Sequence, residues 1–211
     1  MTVDVVIPAW NEERTIGEII LAFRKHPAVG NVWVGIDFRT SDLTAVVAMH
    51  AGGITISRDQ MGKGQVVRAL LREVTTPTVI FSDADYLVPP SQNTVQRLVD
   101  TDYREMTVAV PRTPSPAEWA VSRFPRMFDA RAWAMMSGLR CAPMWMVRQL
   151  ELYGFLMETQ INQEAEKENI VVSYIRAPEI RAPLRFTEQR MSALHADRQY
   201  GISRGILRGD G

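Results

Sequence analysis

Short β-branched segments alternate with amphipathic helical patterns over the first half of the chain, and few folds are compatible with that alternation. Strands are expected at residues 3–7, 32–36, 54–56, 78–82 and 107–110, and the helical patterns between them start near residues 15, 41, 63 and 91. Thr15 and Glu18 predict a capping box at the start of the first helix. Strand–helix–strand units of this length form right-handed crossovers and a mostly parallel sheet. The expected fold class is therefore α/β.

The pattern changes in the second half of the chain, where prolines interrupt a stretch rich in arginine and tryptophan. Residues 127–167 are expected to be largely helical, and residues 170–175 are expected to form one more strand. A chain of 211 residues suits one domain. We therefore predict a single domain over residues 1–211, divided into a first half at 1–111 and a second half at 112–211.

The composition is that of a globular protein, with 46% hydrophobic and 23% charged residues. A single cysteine, Cys141, excludes an intrachain disulfide and a cluster of cysteine ligands for a metal. No run approaches the ~18 apolar residues that a spanning helix needs, and the first residues do not have the pattern of a signal peptide. The expectation is a soluble, cytoplasmic protein without membrane insertion.

Two aspartates, Asp83 and Asp85, come directly after the predicted strand at 78–82. Residues i and i+2 of an extended chain point to the same side, so both carboxylates are expected to face one site. Two like charges held so close are costly unless they share a cation. Mg²⁺ and Mn²⁺ prefer carboxylate oxygens, and substrate phosphates commonly complete the shell. A solvated aspartate turn is the alternative, but the position after a buried strand favours a metal site.

Further polar residues follow the neighbouring predicted strands. Asn11 to Glu13 follow the first strand, Asp37 follows the second, and Lys63 lies between two glycines where a helix begins. Ligands of open parallel sheets bind beyond the carboxyl ends of the strands. Small residues at a helix start also allow a phosphate to approach the backbone amides. These residues are therefore expected to converge on one cleft.

Five segments occur in the order and approximate spacing of a GT-A glycosyltransferase. They are VVIPAWNEERTI (5–16), GIDFRTSDLT (35–44), GKGQVVRAL (62–70), VIFSDADY (79–86) and SGLR (137–140). Over residues 3–140 the chain resembles family 2, in particular the branch of polyprenyl-phosphate and glucosyl-phosphoglycerate synthases. The resemblance implies a Rossmann-like, three-layer α/β/α fold with a mostly parallel central sheet and a smaller C-terminal acceptor lobe. It assigns residues 1–111 to nucleotide-sugar binding and residues 112–211 to acceptor binding.

The resemblance also implies an activity, a cofactor and a set of donor-binding residues. The activity is transfer of a sugar from a nucleotide-diphosphate sugar to an acceptor hydroxyl or phosphate, and the cofactor is Mn²⁺ or Mg²⁺. The positions that match the family's donor-binding residues are Pro8, Ala9, Trp10, Glu12, Asp37, Lys63, Asp83 and Ala84.

The resemblance further implies the metal ligands and the catalytic residues. Asp83 and Asp85 match the family's metal-binding pair, and His195 lies where a late histidine ligand could return to the metal. Asp85 would act through the metal, which stabilises the leaving nucleoside diphosphate, and Glu158 would take the acceptor proton. A glutamate on a helix surface and a histidine with no ligand role are the respective alternatives for Glu158 and His195.

The sequence departs from the family pattern at three places. Asp37 is followed by Phe38 where the family usually has a second acid, so the selectivity for the base is expected to differ. Trp10 replaces the commoner tyrosine. The acid that often stands before the SG pair is missing, because residues 134–136 are Ala, Met and Met. The acceptor chemistry is therefore less defined than donor binding.

Two other classes of function stay open at the level of the sequence. A sugar-phosphate nucleotidyltransferase would share the scaffold, but such proteins usually have a glycine-rich loop followed by arginine after the first strand, and PAWNEE stands there. It would release pyrophosphate rather than a nucleoside diphosphate. A non-catalytic nucleotide-sugar-binding module would show a donor-dependent thermal shift without turnover.

The expected partners are a nucleotide-diphosphate sugar, an acceptor of undetermined class and a second copy of the chain in a homodimer. The candidate acceptors are a phosphorylated metabolite, a polyprenyl phosphate and a hydroxymethylated base in DNA. A lobe with three tryptophans and five arginines, Arg140 among them, could receive a phosphate-bearing acceptor. A net charge of zero speaks against strong nonspecific binding of DNA.

Overall fold

The computed structural model describes residues 2–57, 59, 62–112 and 137–181, and these form a single sheet covered by helices. The strands are β1 (Val3–Ala9), β2 (Val29–Ile36), β3 (Ile54–Ser57), β4 (Thr78–Phe81), β5 (Glu105–Pro111), β6 (Arg140–Pro143) and β7 (Val171–Ala177). The helices are α1 (Ile16–Arg24), α2 (Thr44–His50), α3 (Lys63–Leu70), α4 (Gln92–Val99), α5 (Met144–Val147) and α6 (Met157–Lys167), with a 3₁₀ turn at Gly154–Leu156.

The seven strands are ordered β3-β2-β1-β4-β6-β5-β7. β1 to β4 run parallel to one another, and β7 runs parallel to β5. β6 is antiparallel to both of its neighbours, β4 and β5. The predicted mostly parallel α/β sheet is confirmed.

The prediction of a largely helical segment over 127–167 is wrong at β6. All four residues of Arg140–Pro143 are buried between two strands, and their conformation is determined by pairing with β4 and β5. Its sequence, RCAP, contains no β-branched or aromatic residue, so the sequence pattern did not reveal this strand. Residues 113–136 lie outside the described part of the chain.

Alternate residues of the central strands pack against helices on opposite faces of the sheet. Val5 and Ile7 of β1 belong to a buried cluster with Phe23 of α1, while Val6 packs in a second cluster with Leu70 of α3. Parallel strands need cover on both faces, because their side chains are apolar on both. The result is the expected three-layer α/β/α arrangement.

The start of α1 differs from the prediction. The Thr15 side chain makes no capping hydrogen bond, so the predicted capping box with Glu18 is wrong. The Thr15 hydroxyl instead donates to the carbonyl oxygen of Ala84 at 2.6 Å. This contact ties the first turn of α1 to the loop after β4, which carries Asp83 and Asp85.

The helices of the described residues are short. The longest of them is α6, with 11 residues, whereas a transmembrane helix needs about 20 apolar ones. No helix within the described ranges is long and apolar enough to cross a membrane.

Candidate active site

The loops that follow β1, β2 and β4 meet at one edge of the sheet. The backbone N–H of Asp37, just after β2, donates to the carbonyl oxygen of Ala9 at the end of β1. The N–H of Ser82, just after β4, donates to the carbonyl oxygen of Val6. Parallel strands place their carboxyl ends together, and this brings the predicted donor-binding residues of the first half into one region.

A lysine and two acids form the most buried charged cluster of this region. The Nζ of Lys63 lies 2.5 Å from Oδ1 of Asp83 and 2.5 Å from Oε1 of Glu158. The side chains of Lys63 and Glu158 are only 16% and 9% exposed. Burial alone would lower the pKa of the Lys63 ammonium, but the two carboxylate charges outweigh it, so the pKa lies above its ordinary value. Lys63 is therefore a permanent positive charge at this site.

The glycines on either side of Lys63, Gly62 and Gly64, allow the start of α3 to approach the segment that carries Glu158. Lys63 is the first residue of α3, and Gly62 before it has a φ of 90°, which favours glycine. Because Gly64 has no Cβ, the start of α3 can lie directly against the backbone of Tyr153, in the segment that leads into α6. A Cβ at this position would overlap that backbone. The side chain of Gln65 accepts a hydrogen bond from the N–H of Gly154 at 3.2 Å, which fixes this approach.

Asp83 is held by neighbours on several sides. Besides the Lys63 contact, the hydroxyl of buried Tyr86 lies 3.4 Å from Oδ2 of Asp83. Burial, followed by the charges of Asp83 and Asp85, raises the pKa of Tyr86 well above its ordinary value, so its hydroxyl stays protonated. Gly138 packs against the carboxylate, where any Cβ would overlap it.

Replacing Gly138 with alanine should push the Asp83 carboxylate away from Lys63. We expect a loss of about 1–3 kcal/mol in the free energy of unfolding, because the added methyl group has no space in this packed region. Metal-dependent donor binding should weaken as well. Thermal unfolding and calorimetric titration check both effects. Gly17→Ala in α1 is the control, since its Cβ would meet only the end of Val47, and equal behaviour of the two variants would contradict the prediction.

Asp83 and Asp85 fit a hard divalent cation. Both side chains are partly exposed and supply carboxylate oxygens, which Mg²⁺ and Mn²⁺ prefer. The described residues contain no group of three or more histidine, cysteine or acidic side chains placed to hold a metal ion. Two protein carboxylates nevertheless suit a cation that takes its other ligands from phosphates and water. His195, the third predicted ligand, lies outside the described residues.

A second constellation lies beside Gly62. The guanidinium of Arg39 donates from Nε and Nη2 to the two carboxylate oxygens of Asp37, both at 2.8 Å. The same guanidinium lies 4.2 Å above the ring centroid of Trp10. The N–H of Gly62 also donates to Asp37, at 2.8 Å. Burial acts to raise the pKa of Asp37, but these hydrogen bonds outweigh it and the pKa lies below its ordinary value.

The lowered pKa of Asp37 predicts a stability that depends on pH. The ionised carboxylate stabilises the fold above the ordinary pKa of 3.8, and this stabilisation is lost as the pH falls through the lowered value of the folded state. Asp37→Asn should therefore be less stable than the parent at neutral pH, and the difference should shrink in acid. Urea unfolding at neutral pH and about pH 3 measures it. A difference that does not vary with pH would contradict the prediction, and exposed Asp102→Asn is the control.

The remaining predicted residues of the first half line the same edge of the sheet. Pro8 and Ala9 end β1 and lie opposite Gly35 and Ile36 of β2. Glu12 is buried, and its backbone N–H donates to the Thr44 hydroxyl at 2.7 Å.

Ala84 lies in the loop after β4 and is buried. Its carbonyl oxygen accepts the Thr15 hydroxyl at 2.6 Å, so Asp83 and Asp85 flank an anchored residue.

Arg140 is not part of an exposed acceptor surface. The side chain is completely buried, and its guanidinium donates to the carbonyl oxygen of Ser137 and to the side chain of Asn162. Burial lowers the pKa of Arg140, against the opposing charges of Glu158 and Asp83. Because the side chain is completely buried, Arg140 gives the expected acceptor-binding lobe no solvent-facing group. Its Nη1 also donates to the backbone carbonyl oxygen of Glu158 at 3.4 Å.

Two residues of the site were not singled out from the sequence. Arg39 is defined by its contacts with Asp37 and Trp10, which lie on two different loops. Tyr86 directly follows the aspartate pair, and only its burial and its hydroxyl contact with Asp83 in the structure identify it as part of the site.

The chain is similar in sequence to known proteins. The profile described as "Glycosyl transferase family 2" matches residues 4–149. The glucosyl-3-phosphoglycerate synthase of Mycolicibacterium smegmatis is 32% identical over 99 residues, which cover 42% of this chain and 32% of that protein. Protein RfbJ of Shigella flexneri is 33% identical over 81 residues, which cover 38% of this chain and 62% of that protein. The matched stretches cover less than two thirds of either relative.

Solved structures of other proteins are similar to this chain in fold. One is glucosyl-3-phosphoglycerate synthase of Mycobacterium tuberculosis with Mn²⁺, UDP-glucose and phosphoglyceric acid, with a TM-score of 0.76 and 18% identity over 100% of this chain and 82% of that chain. Another is mannosyl-3-phosphoglycerate synthase of Rubrobacter xylanophilus, with a TM-score of 0.74 and 18% identity over 99% of this chain and 76% of that chain. The expected GT-A fold is confirmed, and with a profile match over most of its length the chain belongs to glycosyl transferase family 2.

Proposed function

We propose that this protein is a metal-dependent glycosyltransferase that uses a nucleotide-diphosphate sugar as donor. The observation that carries the proposal is the convergence of Lys63 and the Asp83–Asp85 pair at the carboxyl ends of parallel strands, within a family 2 segment. A largely buried lysine beside a pair of hard carboxylates suits the diphosphate of such a donor, because phosphate oxygens can be shared between an ammonium and a divalent cation. The relatives support the same class of donor, since solved complexes hold Mn²⁺ and UDP-glucose.

The donor is proposed to lie along the edge from Trp10 to Asp85. Trp10, Glu12 and Asp37 would surround the nucleoside, with the backbone at Pro8 and Ala9 beneath it. Lys63 would contact the diphosphate, and Asp83, Ala84 and Asp85 would hold the cation and the ribose. This order follows the strand order, in which β2 and β1 precede β4.

Mn²⁺ or Mg²⁺ is proposed to be held by Asp83 and Asp85, with His195 as a third ligand. When bound, the cation supplies Lewis-acid stabilisation of the charge that develops on the leaving diphosphate. Lys63 adds a fixed positive charge for the same oxygens, and its ammonium is already positioned by two carboxylates. Tyr86 and Gly138 keep Asp83 in place from the other sides.

Glu158 is proposed to accept the proton of the acceptor hydroxyl. In the structure its Oε1 accepts a hydrogen bond from Lys63, and the residue lies in the first turn of α6, in the second half of the chain. When the Lys63 ammonium turns toward the donor diphosphate, the Glu158 carboxylate becomes able to accept a proton.

The acceptor is proposed to be a small phosphorylated metabolite. The support is that the named relatives of known activity are phosphoglycerate glycosyltransferases. A polyprenyl phosphate and a hydroxymethylated DNA base are the competing acceptors in the assay below. The division into a donor half at 1–111 and an acceptor half at 112–211, the homodimer and the cytoplasmic location are parts of the same proposal.

The test is a panel of nucleotide-diphosphate sugars with each acceptor class, in the presence of Mn²⁺, Mg²⁺ or a chelator. We expect a nucleoside diphosphate as product, formed only with a metal. Release of pyrophosphate would indicate a nucleotidyltransferase, and donor binding without turnover would indicate a binding module. Either result would overturn the proposal.

A further inference from the structure

The carboxylate of Asp37 has no acceptor site left for a nucleobase. An ionised carboxylate accepts about four hydrogen bonds. Oδ1 already accepts from Nε and from the backbone N–H of Arg39, and Oδ2 accepts from Nη2 of Arg39 and from the N–H of Gly62. A base N–H that approached Asp37 would therefore have to displace one of these donors.

Arg39, in contrast, still has donors to offer. A guanidinium carries five N–H groups, and Asp37 uses two of them. Within the described ranges the other three have no hydrogen-bond partner, and the side chain is 36% exposed. Arg39 thus offers hydrogen-bond donors for recognition at this end of the site.

Two contacts fix the orientation of this guanidinium before any ligand binds. Its edge is held by the bidentate bond to Asp37, and its face is held 4.2 Å above the ring of Trp10. Because the planar fork is held in this way, little side-chain entropy is lost when it forms a further hydrogen bond. Trp10 itself is 42% exposed, so this pair lies at the surface of the cleft rather than in the core.

We propose that Arg39 donates to O4 of uracil or O6 of guanine in the donor's nucleobase and so selects these bases over cytosine and adenine. Uracil and guanine carry an acceptor oxygen where cytosine and adenine carry an amino group, which is a donor and would face the guanidinium N–H groups unfavourably. The inference rests on the proposed function. It assigns the specificity for the base to Arg39, which directly follows Phe38, and Phe38 stands where the family usually has a second acid.

The test compares binding of UDP, CDP, GDP and ADP with Mn²⁺ by calorimetry. The parent should bind the keto member of each pair about 10- to 100-fold more tightly than the amino member, the range expected for one charge-assisted hydrogen bond. In Arg39→Gln this ratio should fall to near unity, and in Arg39→Lys it should fall in part. The comparison of UDP with GDP then identifies the base. Exposed Arg97→Gln in α4 is the matched control and should keep the parental ratio.

If Asp37 rather than Arg39 recognised the base, the opposite result would be expected. Removal of the Arg39 side chain would free two acceptor sites on Asp37 and leave the keto preference equal or larger, which would overturn the inference. Equal binding of all four nucleotides by the parent would also overturn it, while leaving the proposed function intact. Failure of every nucleoside diphosphate to bind would count against the proposed function itself. Near-ultraviolet circular dichroism of Arg39→Gln confirms that the variant is folded.

Discussion

Asp85→Ala should lower kcat/KM by about 1,000-fold or more, since a bound cation contributes several kcal/mol of transition-state stabilisation. The side chain lies in the loop after β4, partly exposed and two residues beyond Asp83. Removal of one of two protein carboxylates leaves the cation with a single ligand among the described residues and weakens its hold on the diphosphate. Steady-state kinetics over a Mn²⁺ titration measures the effect.

The Asp85 variant has a matched control in Asp102→Ala. Asp102 is exposed in the turn before β5 and carries the same charge, so its removal changes the net charge without touching the site. The Asp102 variant should keep the parental rate and metal dependence. If Asp85→Ala kept a metal-dependent rate within about 10-fold of the parent, the role of the pair would be refuted.

Lys63→Met should destabilise the fold by about 3–5 kcal/mol, because it leaves two carboxylates of a buried cluster without their cation. For a chain of this length, that corresponds to a decrease of roughly 6–20 °C in Tm. The variant should also lose donor affinity, since the charge proposed to face the diphosphate is removed. Thermal unfolding and donor titration are the measurements.

Two further variants distinguish the effect of unpaired carboxylates in the Lys63 cluster from the general effect of removing a lysine. Lys167→Met removes an exposed lysine from α6, whose side chain is 67% exposed and paired with Glu164, and should leave Tm unchanged. Lys63→Met combined with Glu158→Gln removes one of the two stranded charges and should recover part of the lost stability. A double variant no more stable than Lys63→Met alone would show that the Glu158 contact does not stabilise the fold.

The part of the fold that the sequence predicts is the part built from local patterns. β1, β2 and β4 contain β-branched apolar runs, and a polar residue lies within two positions after each of them, namely Asn11, Asp37 and Ser82. Asp83 and Asp85 are singled out because a spacing of two is expected to place both carboxylates on one side of an extended segment.

Other features depend on contacts that no local pattern encodes. β6 is a strand because it pairs with β4 and β5 on its two sides, and its sequence, RCAP, has no β-branched or aromatic residue that would predict a strand. The contact between Lys63 and Glu158 joins residues 95 positions apart. Arg140 illustrates the same limit, since an arginine in a basic stretch suggests an exposed side chain, whereas the fold encloses it completely.

The direct test of the central claim is a crystal structure of the full chain with Mn²⁺ and the donor that the panel identifies. Anomalous diffraction locates the cation independently of the protein atoms. The account predicts a manganese peak in contact with Asp85 and with the donor diphosphate, and an ammonium of Lys63 within hydrogen-bond distance of the same phosphate oxygens. Manganese and diphosphate bound together elsewhere, with no density beside Asp83 and Asp85, would contradict it.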